Sequence, residues 1–126
     1  MRFVMLLLGL VFTHGYANAH EWTPTYPTLS PSYVEGVSKA DMLLVNMRND
    51  VKYFELSVFD NEWNAVPFAT KERIVRVDYL QRLKIEVFIR DQDKDIATYI
   101  CSKSKILKGS ETKALVASRI CSKIKI

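Results

Sequence analysis

The sequence predicts an all-β protein, a single sandwich of about seven short antiparallel strands that follows a cleaved leader. Two observations predict it. Side chains alternate between apolar and polar over several short segments, and clusters of turn-forming residues separate those segments at regular intervals. A chain of 126 residues, 48% hydrophobic and 25% charged, is long enough to build one domain around its own core.

The first 19 residues have the three parts of a signal peptide. Arg2 supplies the positive charge, residues 3–12 are apolar, and Ala17 and Ala19 are small residues where a signal peptidase cleaves. The apolar run is about half of the ~20 residues that span a bilayer, which favours cleavage over anchoring. Since no later segment is long and apolar enough to span, we expect a secreted or periplasmic protein with no transmembrane segment after cleavage.

Residues 20–36 form an extended N-terminal segment, because three prolines space it and each disfavours helix before it. Two interpretations stay open. The segment is either a docking tail, which offers Trp22, Tyr26 and Tyr33 to a partner, or a strand laid along the edge of its own domain.

The sandwich domain is predicted over residues 37–126. The predicted strands cover residues 42–47, 51–59, 63–68, 73–80, 83–90, 96–107 and 112–126. Alternation is clearest over 51–59, where Phe54, Leu56 and Val58 share one face. The segments 40–44 and 79–83 could each form a helical turn instead.

The last two strands contain near copies of one sequence, Ile-Cys-Ser-Lys, at residues 100–103 and 120–123. If the chain turns near residue 111, Cys101 faces Cys121. Directly opposed residues have Cα atoms ~4.5–5.5 Å apart, within reach of a disulfide. Because exported compartments preserve disulfides, we expect these two cysteines to be joined.

This hairpin has an apolar face and a basic face. The odd positions carry the cations Lys103, Lys105, Arg119, Lys123 and Lys125. Such a face either contacts an anionic partner surface or is a solvated outer face whose lysines protect a terminal strand. No aromatic residues are interleaved with the cations in the sequence, which argues against nucleic acid as a partner.

One short motif resembles a known family. Residues 95–101, Asp-Ile-Ala-Thr-Tyr-Ile-Cys, resemble the Asp-x-Ala-x-Tyr-x-Cys run on strand F of immunoglobulin domains, and Leu83-x-Ile85 looks like strand E. The resemblance implies an immunoglobulin-like β-sandwich, a tyrosine corner and a cysteine paired with strand B. The second predicted strand has no cysteine, and the hairpin alternation points Tyr99 and Cys101 outward, so we expect the hairpin pairing instead.

Two further likenesses involve longer parts of the chain. Residues 44–46 and 53–60 are similar to the first two strands of the N-terminal domain of periplasmic pilus chaperones, which implies a chaperone-like role as an alternative. Residues 20–27 and the Ile-Cys-Ser-Lys ending look like small exported proteins of unknown function from marine bacteria and their phages. That likeness implies no activity.

Only one residue suggests a metal site. Cleavage after Ala19 would leave His20 first, and its amine and ring resemble the copper-binding start of lytic polysaccharide monooxygenases and periplasmic copper carriers. No second histidine follows, so Asp, Glu or Tyr would have to complete the site.

Catalytic sets are not found in the sequence, and the chain is therefore predicted not to be an enzyme and to need no cofactor. Asp91, Asp93 and Asp95 alternate as in a calcium loop, but the glycine and the distant Glu of such a loop are missing. We expect an exported binding or structural accessory protein that contacts a protein or envelope partner. A chaperone-like sandwich and a copper-binding protein are the alternatives.

Overall fold

The computed structural model describes residues 19–106 and 117–126. Over these residues the chain forms eight strands and no helix, which confirms the all-β prediction. The strands are β1 (Glu21–Thr23), β2 (Ser30–Pro31), β3 (Val37–Val45), β4 (Tyr53–Phe59), β5 (Ile74–Arg76), β6 (Arg82–Arg90), β7 (Tyr99–Lys105) and β8 (Arg119–Lys123). The leader predicted over 1–19, apart from Ala19, and the hairpin turn predicted near 111 lie outside the described residues. No described helix is long and apolar enough to span a membrane.

The strands form two antiparallel sheets. In the first sheet β3 pairs with β6 on one side and with β1 and then β2 on the other. The second sheet has the order β5-β4-β7-β8. The β3–β6 and β4–β7–β8 pairings correspond to the B–E and C–F–G pairings of immunoglobulin-like sandwiches. The predicted β-sandwich is therefore the observed architecture.

The core lies between the two sheets and is built from the alternate side chains that face inward. On β4, the predicted inward set is buried and its neighbours are half-buried, so the period of two is confirmed. The most deeply buried apolar side chains include Leu44, Val87 and Ile89 from the first sheet and Phe54, Val58 and Ile100 from the second. Their burial is the main stabilising contribution to the fold.

The N-terminal segment is an edge of the sandwich rather than a free tail. Trp22 of β1 lies opposite Leu44, and Pro31 of β2 lies opposite Ser38, both on β3. Between the two strands the chain crosses to the second sheet, where the N–H of Lys123 donates to the Thr25 carbonyl and Lys125 donates to Pro27. Residues 20–36 thus belong to the same domain as residues 37–126.

The strand predicted over 63–68 is wrong. The segment is a loop with one bridge, between Phe59 and Ala65. The Asp60 carboxylate accepts hydrogen bonds from the N–H groups of Glu62 and Asn64, at 2.9 Å each, and this turns the chain back over the sheet.

The two possible helical turns are also absent. Residues 40–44 lie inside β3, and residues 79–80 form a turn in which Leu80 has a φ of 64°.

Buried Asn46 holds this turn region together. Its amide donates to the carbonyls of Val51 and Val77, at 2.7 and 2.8 Å, and its Oδ1 accepts from the N–H of Arg48.

Candidate functional site

The β7–β8 hairpin has the predicted register. Cys101 pairs with Cys121, and the two are joined by a disulfide with a Cα–Cα distance of 4.1 Å. The bond links neighbouring strands of one sheet, so the pairing across sheets that the immunoglobulin resemblance implies is not the one observed. Tyr99 points to the outer face, as the hairpin alternation predicts.

Four of the five predicted cations are exposed: Lys103, Arg119, Lys123 and Lys125. Lys105 is half-buried, and its Nζ lies 2.9 Å from Glu55 Oε2 on the neighbouring strand. The outer face of the second sheet is therefore basic mainly along β8 and its continuation. The prediction placed the cations on both strands of the hairpin, and Lys105 departs from it because it pairs with Glu55.

An aromatic stack that no sequence pattern predicted lies on the same outer face. The rings of Trp63 and Tyr99 are parallel within 2°, with centroids 4.3 Å apart, and Phe59 lies 5.8 Å from Trp63. Trp63 is 50% exposed, so about half of its surface is accessible to solvent. Large exposed aromatic rings are enriched in binding surfaces, because they contribute contact area with few rotatable bonds.

The backbone holds Trp63 in a defined orientation. Its φ is 66°, in the left-handed region that bulky residues rarely adopt. The turn at Asp60 supports this conformation, since the N–H of Trp63 donates to the Asp60 carbonyl and the N–H of Asp60 donates to the Asn64 carbonyl. Backbone hydrogen bonds from Asn64 and Glu62 hold the pKa of the Asp60 carboxyl below its usual range. The Asp60-Asn61-Glu62 turn was the sequence signal that could have located the stack.

Arg119 connects the cations to the stack. Its guanidinium carbon lies 5.4 Å from the centroid of the Phe59 ring, within cation–π range. In the sheet register Arg119 on β8 lies opposite Lys103, and Phe59 on β4 lies opposite Tyr99. Cys101 lies on β7, the strand between β8 and β4, halfway between Lys103 and Tyr99. The Arg119 side chain therefore crosses over the disulfide. This explains why Cys101 is fully buried although it points to the outer face.

His20 is a core residue, which corrects the prediction of an exposed metal ligand. It is 2% exposed, and its ring packs 4.7 Å from that of Phe54. Both ring nitrogens face hydroxyls: Nε2 lies 2.7 Å from Ser102 Oγ, and Nδ1 lies 3.3 Å from Ser118 Oγ. Neither nitrogen is open to a metal, because pairing of the N-terminal strand draws the ring between the sheets.

Trp22 is also a core residue, so the prediction that it contributes to a partner-binding surface is wrong. It is 4% exposed, and its indole N–H donates to the carbonyl of Ile100 on the opposite sheet, at 3.0 Å. The alternation of β1 places Trp22 inward and its neighbours Glu21 and Thr23 outward. The other aromatic residues of the segment, Tyr26 and Tyr33, are 64% and 86% exposed.

Two of the three alternating aspartates are held by neighbouring side chains in a loop. Asp93 accepts from Arg90 at 2.7 Å, and Asp91 accepts from the Ser38 hydroxyl at 2.6 Å. Within residues 19–106 and 117–126, no group of three or more His, Cys, Asp or Glu side chains is arranged to hold a metal ion.

Comparison with known proteins gives a fold likeness. No protein-family model matches the chain, and no curated protein matches it. Among solved structures, the chain is similar to the E. coli chaperone DraB, with a TM-score of 0.64 and 14% sequence identity over 84% of this chain and 53% of that chain. The chain therefore spans about half the length of that chaperone. At this identity the likeness shows a shared β-sandwich fold alone.

Proposed function

We propose that this protein is exported and acts as a non-catalytic binding domain, which contacts an anionic surface on a protein or envelope partner through the outer face of the second sheet. One observation carries the proposal: the Trp63–Tyr99 stack, in which Trp63 is 50% exposed, lies beside the cations of the β7–β8 hairpin, and Arg119 contacts the ring of Phe59 next to the stack. Export is supported by the leader-like residues 1–19 and by the disulfide, which persists in oxidising compartments.

The chemistry of this face suits a partner that combines negative charge with an apolar or planar contact. Lysine and arginine attract an anionic surface over several ångströms and raise the rate of encounter. The exposed part of the Trp63 indole then contributes close contact, and the turn at Asp60 sets the orientation of this side chain before binding. A preorganised aromatic group loses little conformational entropy on binding, so this residue should dominate the affinity.

A pull-down from envelope extract tests the proposal with tagged protein and two variants. Trp63→Asn removes the indole but tolerates the left-handed backbone, since Asn adopts positive φ more readily than other residues. The double variant Arg119→Gln/Lys123→Gln removes two cations of the face. Each should reduce recovery of the partner by about tenfold or more, the usual effect of removing a central contact.

The matched control is Arg82→Gln/Lys94→Gln, which removes two exposed cations that lie off this face. The control should recover the same partners as the unaltered protein. Equal recovery by all four proteins would contradict the proposal, and so would an equal loss in the control and in the Arg119/Lys123 variant.

A chaperone-like role is the second candidate, and the structural likeness to the chaperone DraB favours it. Such a role requires the domain to bind a polypeptide that has not yet folded. The test adds this protein, up to an equimolar amount, to an envelope protein that is unfolding. Light scattering then measures aggregation of the envelope protein. Suppressed aggregation would support the role, and unchanged scattering at equimolar protein would contradict it.

A further inference from the structure

The first sheet has an incomplete edge along β6. On one side, β6 pairs with β3 over its whole length, from Arg82 to Arg90. On the other side, the pairing found in the described part of the chain is a bridge between Phe88 and Ala69. Within residues 19–106 and 117–126, the rest of that edge has no neighbouring strand.

The edge is open because the chain leaves it for the other sheet. Ala69 exchanges two backbone hydrogen bonds with Phe88, at 2.8 and 2.9 Å. Continued antiparallel pairing would bring residue 71 opposite Glu86 and Arg73 opposite Lys84. Instead, the carbonyl of Arg73 accepts from the N–H of Leu56 on β4, at 2.8 Å, so the chain has already crossed to the second sheet.

Lys84 and Glu86 therefore present backbone groups to the open edge. The N–H and C=O of Phe88 point away from β3, toward Ala69. Since every second residue of an antiparallel strand directs these groups to the same side, those of Glu86 and Lys84 point the same way. An added strand would satisfy them.

A groove of about 380 Å³ lies beside this edge. Its floor includes the apolar side chains of Val75, Leu83 and Ile85, and its far wall is residues 70–72. Tyr33, which is 86% exposed, stands at the rim against Phe88, with ring centroids 6.1 Å apart. The groove is thus apolar along its floor and lined on one side by unpaired backbone.

We propose that an extended segment of a partner protein docks in this groove and adds to β6 as a strand. Backbone pairing with Lys84 and Glu86 would supply affinity, and apolar side chains at alternate positions of the segment would pack on the floor. The charged lining residues have both signs, Lys71 and Lys84 against Glu72 and Glu86, so neither an anionic polymer nor a cationic one is favoured. The site lies at the β6 edge of the first sheet and shares none of its residues with the basic outer face of the second sheet.

The probe for the test is a soluble nine-residue peptide of alternating Val and Thr with a terminal Lys. Its matched control is N-methylated at every second residue and cannot donate hydrogen bonds along one edge. Amide hydrogen exchange of the unaltered protein, measured by NMR, should slow about tenfold at Lys84 and Glu86 with the first peptide, as one added hydrogen bond implies. The methylated peptide should leave both amides unchanged.

Two variants separate strand addition from other binding. Glu86→Pro removes the outward N–H but spares the β3 pairing, because proline is tolerated where the missing N–H faces away from the sheet. Glu86→Thr removes the same charge and keeps the N–H. Protection of the Lys84 amide that survives in Glu86→Thr and is lost in Glu86→Pro supports the proposal.

Three results would overturn it. The first is unchanged exchange at Lys84 and Glu86 in 1 mM peptide. This measurement is made on the unaltered protein, so it does not depend on whether Glu86→Pro folds. The second is equal protection by the methylated peptide. The third is sedimentation showing that β6 edges pair between two copies of this chain, with dimerisation abolished by Glu86→Pro.

Discussion

The Nε2 atom of His20 lies 2.7 Å from the Oγ of Ser102, a hydrogen bond that joins residues 82 positions apart in the sequence. The contact links the start of the N-terminal edge to β7 on the opposite sheet. A second hydroxyl, that of Ser118, faces the other ring nitrogen. The histidine therefore closes one end of the sandwich from within, with a serine hydroxyl facing each of its ring nitrogens.

The buried histidine makes stability depend on pH. Burial lowers the pKa of His20 from 6.5 to about 4, with a hydrogen bond to the backbone of Ser102 opposing the shift and the charge of Arg48 adding to it. Between these values the unfolded chain binds a proton that the folded chain does not, so stability is full above pH 6.5 and is lost as the pH falls toward 4. We expect a loss on the order of 2 kcal/mol in the free energy of unfolding across this window.

Urea unfolding at pH 7.0 and at pH 4.5 measures this loss. In His20→Gln, which keeps a hydrogen-bonding side chain without a titrating group, the histidine contribution should be absent. If the variant and the unaltered protein lose equal stability between the two pH values, the dependence comes from another group.

Arg119 should protect the disulfide from reduction. Its side chain crosses Cys101 to reach the ring of Phe59, and thiol–disulfide exchange requires access to a sulfur. In Arg119→Ala, the rate of reduction by dithiothreitol under native conditions should rise several-fold. Lys123→Ala is the control, since it removes a cation from the same strand without uncovering Cys101. Equal rates in the two variants would show that charge rather than coverage controls reduction.

Asn46 should be among the most sensitive polar residues of the protein. It is fully buried and makes three hydrogen bonds to the backbone, two as donor and one as acceptor. Asn46→Ala leaves those groups unsatisfied and should lower the free energy of unfolding by about 3 kcal/mol. Asn46→Asp should also destabilise, because a carboxylate cannot donate to the Val51 and Val77 carbonyls. Asn49→Ala, at an exposed position nearby, should change the stability by less than about 0.5 kcal/mol.

Leu80 offers a stabilising substitution. Its φ is 64° and its side chain is 56% exposed, so it has a strained backbone and few contacts to lose. Glycine adopts this conformation without strain, and Leu80→Gly should raise the free energy of unfolding by about 1 kcal/mol. The same substitution at the neighbouring Tyr79 should lower it. Thermal unfolding of the two variants distinguishes them, and a lower midpoint for Leu80→Gly would contradict the prediction.

Much of the local structure follows from the order of residues alone. The alternation over 51–59 and 83–90 locates β4 and β6 within a few residues, since each side chain's direction depends on its immediate neighbours. The repeated Ile-Cys-Ser-Lys segments likewise predict the register of β7 and β8, and with it the bond between Cys101 and Cys121.

The candidate binding surfaces could be located only from the three-dimensional structure. Trp22 and His20 look exposed in a proline-spaced segment, yet pairing of that segment with β3 turns both into the core. Trp63 and Tyr99, far apart in the sequence, meet because a turn at Asp60 folds one over the other. The open edge of β6 exists because the chain crosses between sheets after Ala69.

The strands could be predicted from the sequence and the surfaces could not, and this difference has a physical cause. Strand formation and hairpin register arise from contacts between residues that are close in sequence, so alternation and turn chemistry are enough to reveal them. Which sheet a segment joins, and which side chains then share a face, depends on packing between distant strands, and that balance is settled when the whole core assembles.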